Sequence, residues 1–393
     1  MNARTRLAVL LVATPLVVFA LVGGFLGQAS AREESYQHLR IFEDVVSLIT
    51  SNYVEDVNVD KVMDGAMRGL AEGLDADSAW LTPDQVAQAA KGGPLPEGDT
   101  GIDIVRQYYL RVVSVRDGSP AAGAGLRTGD YLRMIDGKPT RDLSAFEGRR
   151  LLRGPAGSTV KLLVLRGSAA EPHEVMLTRQ KLPPAAVTGR LVERDVALVR
   201  IPAFTKDTAG QVSRAIADLQ KQGASRVLLD VRATSVGEPA DGLPTARLFV
   251  ASGTLVQREQ RDHPSTSIAA ASGDGRITLP LVVMTTAGTA GAAEVLAAAI
   301  AGNERGVIVG ERTLGRVAEQ KLVPLSDGSG LWLTYARFLT PAGKALHGQG
   351  VEPTVAVEEP DVEFGAGPPE TDPILTKALE TLATRQAAVQ PAG

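Results

Sequence analysis

Between Val196 and Val357, apolar runs alternate with a helical pattern, and this alternation restricts the possible folds more than any other feature of the chain. The segments ALVRIPAF and RVLLDV predict strands, and DTAGQVSRAIADLQKQG between them predicts a helix that ends at Gly223. Three more strands are predicted from LPLVVMTT, GVIVG and GLWLTYARF. Such alternation is typical of layered domains in which helices cover a sheet. The sequence therefore predicts an α/β core over residues 183–357.

Two segments of this core carry a specific residue pattern: TAGTAGAAEVLAAAIAG (286–302) and GERTLGRVAEQ (310–320). They resemble the active-site motifs of the C-terminal processing peptidases, or tail-specific proteases, which are PDZ-containing serine peptidases. That family has a serine nucleophile in S-A-S-A-x-E and a lysine base in T-F-G-K-G-x-x-Q. The resemblance implies a crotonase-like core, with Gly291 at the nucleophile position and Arg316 at the base position. The rest of both motifs is intact, at Thr289, Ala290, Glu294, Thr313, Gly315 and Gln320.

These two departures remove the chemistry of a serine-lysine dyad. Glycine has no nucleophile, and a guanidinium stays protonated and only donates hydrogen bonds, so Arg316 cannot accept a proton. Losing one member of such a unit typically costs on the order of 10⁴ to 10⁶ in rate. The sequence therefore predicts a chain with the peptidase fold and without peptidase activity.

A third departure lies in the segment LLDVRATSVGEPADG (228–242). It resembles the family's L-D-L-R-N-N-P-G-G, a strand followed by a glycine-rich turn whose N–H groups bind the developing oxyanion. Gly237 matches the second glycine, but Val236 replaces the first and both asparagines are missing. We expect the oxyanion turn to be degenerate at these positions.

Residues 98–182 resemble a PDZ domain. The resemblance rests on DGSPAAGAGLRTGDYLRMIDG (117–137) and LLRGPAGSTVKLLVLRG (151–167), which also predict a small β-rich domain with one helix near residues 143–152. PDZ domains bind a peptide C-terminus by strand addition, with its carboxylate on a loop that usually reads G-L-G-F. The corresponding peptide-binding residues are Gly101, Ile102, Asp103 and Ile104. Asp103 should repel a ligand carboxylate unless its side chain points to solvent.

The N-terminus has the pattern of an export signal or a membrane anchor. Arg4 and Arg6 precede an uncharged apolar run from Leu7 to Gly27. The length of the run favours an anchor, whereas Ala29-Ser30-Ala31 has the form of a cleavage site, so both readings of residues 1–31 stay open. In either case we expect most of the chain to be periplasmic, anchored in the inner membrane or secreted.

The segment from residue 34 to 97 predicts an N-terminal helical region, with Asp60 as the N-cap of its second helix. Its LDADSAWLTP (74–83) resembles the family's L-D-P-H-S-x-Y-L-T-P. In that family this region often mediates dimerisation, which implies a possible homo-oligomer. Residues 358–393 predict a linker followed by a C-terminal helix. In the N-terminal region, the apolar residues at helical spacing are Leu39, Phe42, Val45, Val46 and Ile49 in the first helix and Val62, Met63, Ala66 and Leu70 in the second.

Composition excludes several other classes of function. The net charge of -4 disfavours nucleic acid as a partner, and the absence of cysteine excludes disulfides and thiolate metal sites. The four histidines are not at metal-ligand spacing, and no G-x-S-x-G motif is present. We expect no cofactor and no metal.

The sequence thus predicts an exported pseudopeptidase that binds polypeptide C-termini or unfolded segments as a scaffold, an adaptor or a competitor of an active relative. One alternative is an active serine-type endopeptidase that uses displaced residues such as Thr289 and Lys321. Another is a structural envelope protein whose groove is closed.

Overall fold

The computed structural model describes residues 36–90, 96–167, 171–367 and 369–389, and it divides into units of residues 1–70 and 71–393. The predicted signal or anchor segment lies outside the described residues. The first unit contains helical residues 36–52 (α1) and most of Val59–Glu72 (α2). Asn58, not Asp60, begins α2, because the Asn58 Oδ1 accepts the Lys61 N–H at 2.9 Å. None of the described helices has the length and apolarity needed to cross a membrane.

In the second unit, Ala79–Leu81 (β1) and Pro83–Ala90 (α3) precede a small β-rich domain. Its main sheet has the strand order β3-β4-β5-β7-β8, with β6 beside β5, so β3 is an edge strand. Strands β2 and β9 form a separate pair. The elements are Gly98–Asp99 (β2), Ile102–Gln107 (β3), Tyr109–Val115 (β4), Pro120–Gly123 (α4), Tyr131–Ile135 (β5), Lys138–Pro139 (β6), a 3-10 helix at Thr140–Asp142, Ala145–Leu152 (α5), Thr159–Leu165 (β7), His173–Thr178 (β8) and Gln180–Lys181 (β9).

Helix α5 lies close against the edge strand β3. A capping box between Ser144 and Glu147 begins the helix. Gly148 permits the close approach, since a Cβ there would lie 2.3 Å from the Leu110 Cδ1 and 2.7 Å from the Ile104 Cδ1. The helix therefore covers the apolar side of β3.

The larger domain is built on a six-stranded sheet of order β10-β11-β12-β15-β16-β19, parallel except for β10. Helices cover both faces, which explains why its strands are almost continuously apolar. The predicted α/β fold class is confirmed. The elements of this sheet and its helices are Thr188–Val192 (β10), Val196–Arg200 (β11), Thr208–Lys221 (α6), Arg226–Asp230 (β12), a 3-10 helix at Pro239–Gly242, Leu243–Ala246 (α7), Leu281–Thr285 (β15), Ala292–Gly302 (α8), Val307–Gly310 (β16), Val355–Ala356 (β19) and Pro373–Val389 (α9).

An antiparallel sheet of order β1-β18-β13-β14, with β17 beside β18, completes the core domain. Strand β1 pairs with β18 through Trp80 and Leu331, so the chain just before β1 is fixed to this sheet. The remaining strands are Thr254–Gln260 (β13), His263–Ala269 (β14), Ala318–Pro324 (β17) and Gly330–Leu339 (β18).

The 3-10 helix at Pro239–Gly242 packs so closely against α8 that a larger side chain at the contact should destabilise the fold. A Cβ at Gly242 would lie 2.1 Å from the Ala292 carbonyl oxygen, so Gly242→Ala should lower the free energy of unfolding by about 1 to 3 kcal/mol. Gly210→Ala in α6 is the matched control, because nothing lies within 4 Å of its Cβ. The control should be neutral or stabilising by up to about 1 kcal/mol. Equal urea midpoints for the two variants would contradict this close packing.

Candidate functional site

The turns that follow β12, β15 and β16 meet at the carboxyl edge of the parallel sheet, where sites of α/β proteins commonly lie. Gly291 ends the turn after β15 and is the N-cap of α8, with φ +61° and ψ -119°. A Cβ on Gly291 would lie 3.3 Å from the Gly237 carbonyl oxygen and 3.9 Å from the Arg316 carbonyl oxygen. The structure therefore places the nucleophile, oxyanion and base positions together. The positive φ favours glycine at position 291 independently of helix packing.

Glu294 holds this arrangement from inside the protein. Its buried carboxylate accepts the Gly291 N–H at 3.1 Å, the Gly315 N–H at 2.6 Å, the Arg316 N–H at 2.8 Å and the Thr313 hydroxyl. Burial raises the pKa of Glu294 to about 7, although the hydrogen bonds oppose this shift. One side chain thus ties the start of α8 to the segment that carries Arg316.

Arg316 lies in a cluster of four charges, with Asp77, Asp103 and Arg149, which we call the ion cluster. The Arg316 Nε lies 2.9 Å from the Asp77 Oδ1, and its Nη1 lies 3.1 Å from the Asp103 Oδ2. Arg149 contacts the same two carboxylates at 3.6 and 3.4 Å. Burial alone would lower the pKa of Arg316, but Asp103 and Asp77 raise it above the ordinary value. The guanidinium is therefore fixed as a cation and cannot serve as a base.

The surroundings of Asp103 decide one of the two orientations that the sequence left open. Its side chain is only 16% exposed, so it does not point to solvent, and its charge is compensated by two arginines. Burial opposes its ionisation, yet Arg316 and Arg149 hold the pKa of Asp103 below the ordinary value. Asp103 also accepts the Ser235 hydroxyl at 2.6 Å, and Ser235 bonds to Ser114 at 2.6 Å. The edge strand of the small domain is therefore joined directly to the oxyanion turn, defined as residues 233–237.

The same contacts occupy the edge of β3 that a bound peptide would use. The Ile104 N–H donates to the Asp103 Oδ1 at 2.9 Å, and Arg149 Nη2 donates to the Ile104 carbonyl at 3.1 Å. Earlier in the same loop, the Gly101 N–H donates to the Asp99 Oδ1 at 2.9 Å. In this conformation, three backbone groups suited to a peptide ligand already have partners within the chain.

The oxyanion turn keeps donors in spite of its altered sequence. Gly237 has φ +125°, and Val236 is half exposed. The Val236 carbonyl accepts the Phe204 N–H at 2.8 Å, whereas in the described part of the chain neither the Val236 nor the Gly237 N–H has an acceptor. Although Val236 stands at the position of the first motif glycine, the two N–H groups of this turn therefore have no acceptor among the described residues.

The displaced residues considered as substitutes face elsewhere. Thr289 is buried and donates its hydroxyl to the Val231 carbonyl at 2.9 Å. The Lys321 ammonium lies 5.1 Å from the centre of the Tyr335 ring. Gln320, which belongs to the motif and is not a substitute, lines the same cavity as Gly291 and Arg316, and its amide donates to the Thr334 hydroxyl at 3.4 Å. Among the described residues, no group of three or more acidic, histidine or cysteine side chains is placed to hold a metal ion.

Three members of this network were not singled out from the sequence: Asp77, Arg149 and Ser235. A signal for Asp77 was available, because it stands where L-D-P-H-S has its histidine. Arg149 and Ser235 had no comparable signal, since their role depends on the docking of the small domain.

Comparison with known proteins identifies the class to which this fold and site belong. A family model described as peptidase family S41 matches residues 195–357, and a PDZ model matches residues 111–166. The chain is 28% identical to the carboxy-terminal-processing protease of Bartonella bacilliformis over 88% of this chain and 83% of that protein. It is 33% identical to the carboxyl-terminal-processing protease of Picosynechococcus, with coverage of 72% and 68%. The solved photosystem II D1 C-terminal processing protease matches with a TM-score of 0.68 at 28% identity, covering 81% of this chain and 92% of that chain.

The chain therefore belongs to peptidase family S41, among the PDZ-containing C-terminal processing proteases.

Glu294 should make stability depend on pH near neutrality. Its pKa is higher in the folded chain than in the unfolded chain, so its contribution is complete below about 4.5 and is lost as pH rises through about 7. Relative to Glu294→Gln, the wild type should lose up to about 3 kcal/mol of unfolding free energy between pH 5 and 8. The comparison removes the contributions of His347 and Glu359, which both proteins share. Burial lowers the pKa of His347, so its contribution changes with pH in the opposite sense to that of Glu294, whereas burial raises the pKa of Glu359 and its contribution has the same sense. A difference between the two proteins that does not change with pH would mean that Glu294 titrates as an ordinary carboxyl.

Proposed function

We propose that this chain is a pseudopeptidase that binds polypeptide without cleaving it. The observation that carries the proposal is the placement of Arg316, which is held between Asp77 and Asp103 beside a glycine at the nucleophile position. A permanently charged guanidinium cannot activate a nucleophile, and Gly291 supplies none. The relatives named above are called proteases, so the loss of activity distinguishes this chain within its family.

A large cavity supports the binding of polypeptide. About 780 Å³ of space lies between the PDZ domain and the core, lined by residues from β3, α5, the oxyanion turn and the segment that carries Arg316. This volume is in the range of ligand-binding clefts, and the PDZ domain offers strand addition once its edge is freed. The partners would be polypeptide C-termini or unfolded segments, and the protein would act as a scaffold, an adaptor or a competitor of an active relative.

Location and assembly complete the proposal. The apolar run that follows Arg4 and Arg6 supports export, with residues 1–31 as an anchor or a cleaved signal and the rest in the periplasm. Exposed apolar side chains on the N-terminal helices, including Leu39, Leu48 and Leu70, support a homo-oligomer.

The purified full chain, kept in mild detergent, should not cleave casein above background and should not react with serine-directed acylating probes. Both outcomes follow from the missing nucleophile and from the fixed charge of Arg316. Thr289→Ala and Ser235→Ala are the control variants, since Thr289 lies two residues before Gly291 and Ser235 lines the same cavity as Gly291. Cleavage by the wild type that either variant abolishes would favour an active endopeptidase with displaced residues.

The double variant Gly291→Ser with Arg316→Lys should also stay inactive. A lysine between Asp77 and Asp103 keeps its proton, because both carboxylates favour the charged amine. Adding Asp103→Gly should raise activity above that of the double variant, since it removes one of the two carboxylates that hold the lysine charged. Among the described residues, the Val236 and Gly237 N–H groups have no acceptor and so stay available to an oxyanion. Strong casein cleavage by the double variant alone would show that the carboxylates do not suppress a base at this position.

A further inference from the structure

One face of α5 brings three guanidinium groups to the cavity. Phe146, Arg149, Arg150 and Arg153 are spaced so that they share a helix face, and all four line the cavity. We call this set the arginine face. The arginine face supplies three of the six guanidinium groups that line the cavity, the others being Arg116, Arg200 and Arg316. The acidic side chains that line it are Asp99, Asp103, Asp117, Glu238 and Asp241.

The three arginines differ in how their charge is compensated. Arg149 contacts Asp77 and Asp103, and Arg153 lies 2.7 Å from Asp99. Arg150 has no ion pair with any carboxylate in the described part of the chain, and its guanidinium lies 5.9 Å from the centre of the Phe146 ring. Arg150 is therefore the member of the arginine face that has no carboxylate partner among the described residues. Outside α5, Arg116 also lines the cavity without an ion pair to any described carboxylate, and its guanidinium donates to the Pro183 carbonyl.

Asp103 shows which chemical group this part of the groove accepts. Its carboxylate binds the Ile104 N–H, the Ser235 hydroxyl, Arg149 and Arg316, all from within the chain. A PDZ loop normally offers such N–H groups to the carboxylate of a ligand. Asp103 thus stands in for a ligand carboxylate, and a ligand that opens the groove must supply negative charge to the arginines that Asp103 leaves.

The apolar surface of β3 is partly covered from within the chain. Ile104 and Leu152 are fully buried, and Gly148 lets α5 pack directly on Ile104 and Leu110. Beside β3 the cavity is lined by the arginine face together with apolar residues such as Ile102 and Leu182. Selection by charge would therefore act in addition to apolar contacts.

We infer that the groove selects polypeptides whose last few residues are acidic, so that one ligand carboxylate replaces Asp103 and another pairs with Arg150. This inference rests on the proposed polypeptide binding at the PDZ domain and names the class of sequence it would take. Charge pairing at a partly exposed site changes affinity by roughly fivefold per pair and weakens with salt.

The test uses fluorescently labelled ten-residue peptides and the full chain in mild detergent. One peptide ends in four alanines. In each of four further peptides, one of these four alanines is replaced by glutamate, at a different position in each peptide. All five peptides are also made with an amidated C-terminus. The wild type should bind at least one glutamate peptide roughly fivefold more tightly than the alanine peptide at low ionic strength. Amidation and high salt should each weaken that binding.

Three variants assign the preference to the groove. Arg150→Gln should remove the advantage of glutamate, whereas Arg141→Gln should keep it, because Arg141 is exposed over Tyr108 and does not line the cavity. Asp103→Asn should tighten the binding of every peptide with a free carboxylate, since it frees Arg149 and Arg316 from part of their pairing.

The outcomes separate the inference from the proposed function. If alanine and glutamate peptides bind equally to the wild type, or if Arg150→Gln keeps the preference, selection for acidic termini is wrong while polypeptide binding stands. If no peptide binds either the wild type or Asp103→Asn, polypeptide binding by this PDZ groove is itself wrong, and a structural role with a closed groove is favoured.

Discussion

The pairing of Arg316 with Asp77 and Asp103 sets the geometry around the positions that the family motifs assign to the nucleophile, the base and the oxyanion turn. These residues come from the turn before β1, the PDZ edge strand and the segment before β17, and Arg149 adds α5 to the same cluster. Partly buried ion pairs add little net stability, but removing one partner typically costs about 3 to 5 kcal/mol, because a buried charge is left uncompensated. The cluster therefore fixes the position of the PDZ domain on the core more than it stabilises either domain.

The departures from the family's motifs are linked by charge. The motif histidine is replaced by Asp77, a loop glycine by Asp103 and the lysine by Arg316, and these three side chains form direct contacts. Two carboxylates next to a lysine would favour its charged form, so that the amine could not act as a base. Next to an arginine, which is always charged, the same two carboxylates form ion pairs. The altered residues thus form a self-consistent structural site. Glu294 meanwhile holds the backbone of the site in place. It accepts main-chain N–H groups, and these bonds do not depend on which side chain stands at position 291 or 316.

The sequence predicted those parts of the fold that depend on local patterns. Strands such as β12 and β15 were predicted because both of their faces are buried and their residues are all apolar. The N-cap of α2 was misplaced by two residues, since Asn58 and Asp60 are equally suited to the role. The role of Asp103 could not be predicted from the sequence, because Arg149, Ser235 and Arg316 are distant from it in the chain. They contact it only when the PDZ domain packs against the core. Gly291 was recognised by its place in a motif, but its positive φ is a property of the turn that the letters around it do not specify.

The position of Asp103 couples two regions that are separate in the sequence. The Asp103 carboxylate accepts the Ile104 N–H and so occupies the edge of β3. It also accepts the Ser235 hydroxyl in the oxyanion turn and pairs with Arg316 in the segment before β17. A peptide that binds along β3 would have to displace these contacts. Its binding would therefore also weaken the contacts between the PDZ domain and the core. Because such coupling is reciprocal, a partner that separates the PDZ domain from the oxyanion turn would equally favour peptide binding. Under the proposed function, the binding of a polypeptide end would in this way change the relation between the PDZ domain and the core without any cleavage.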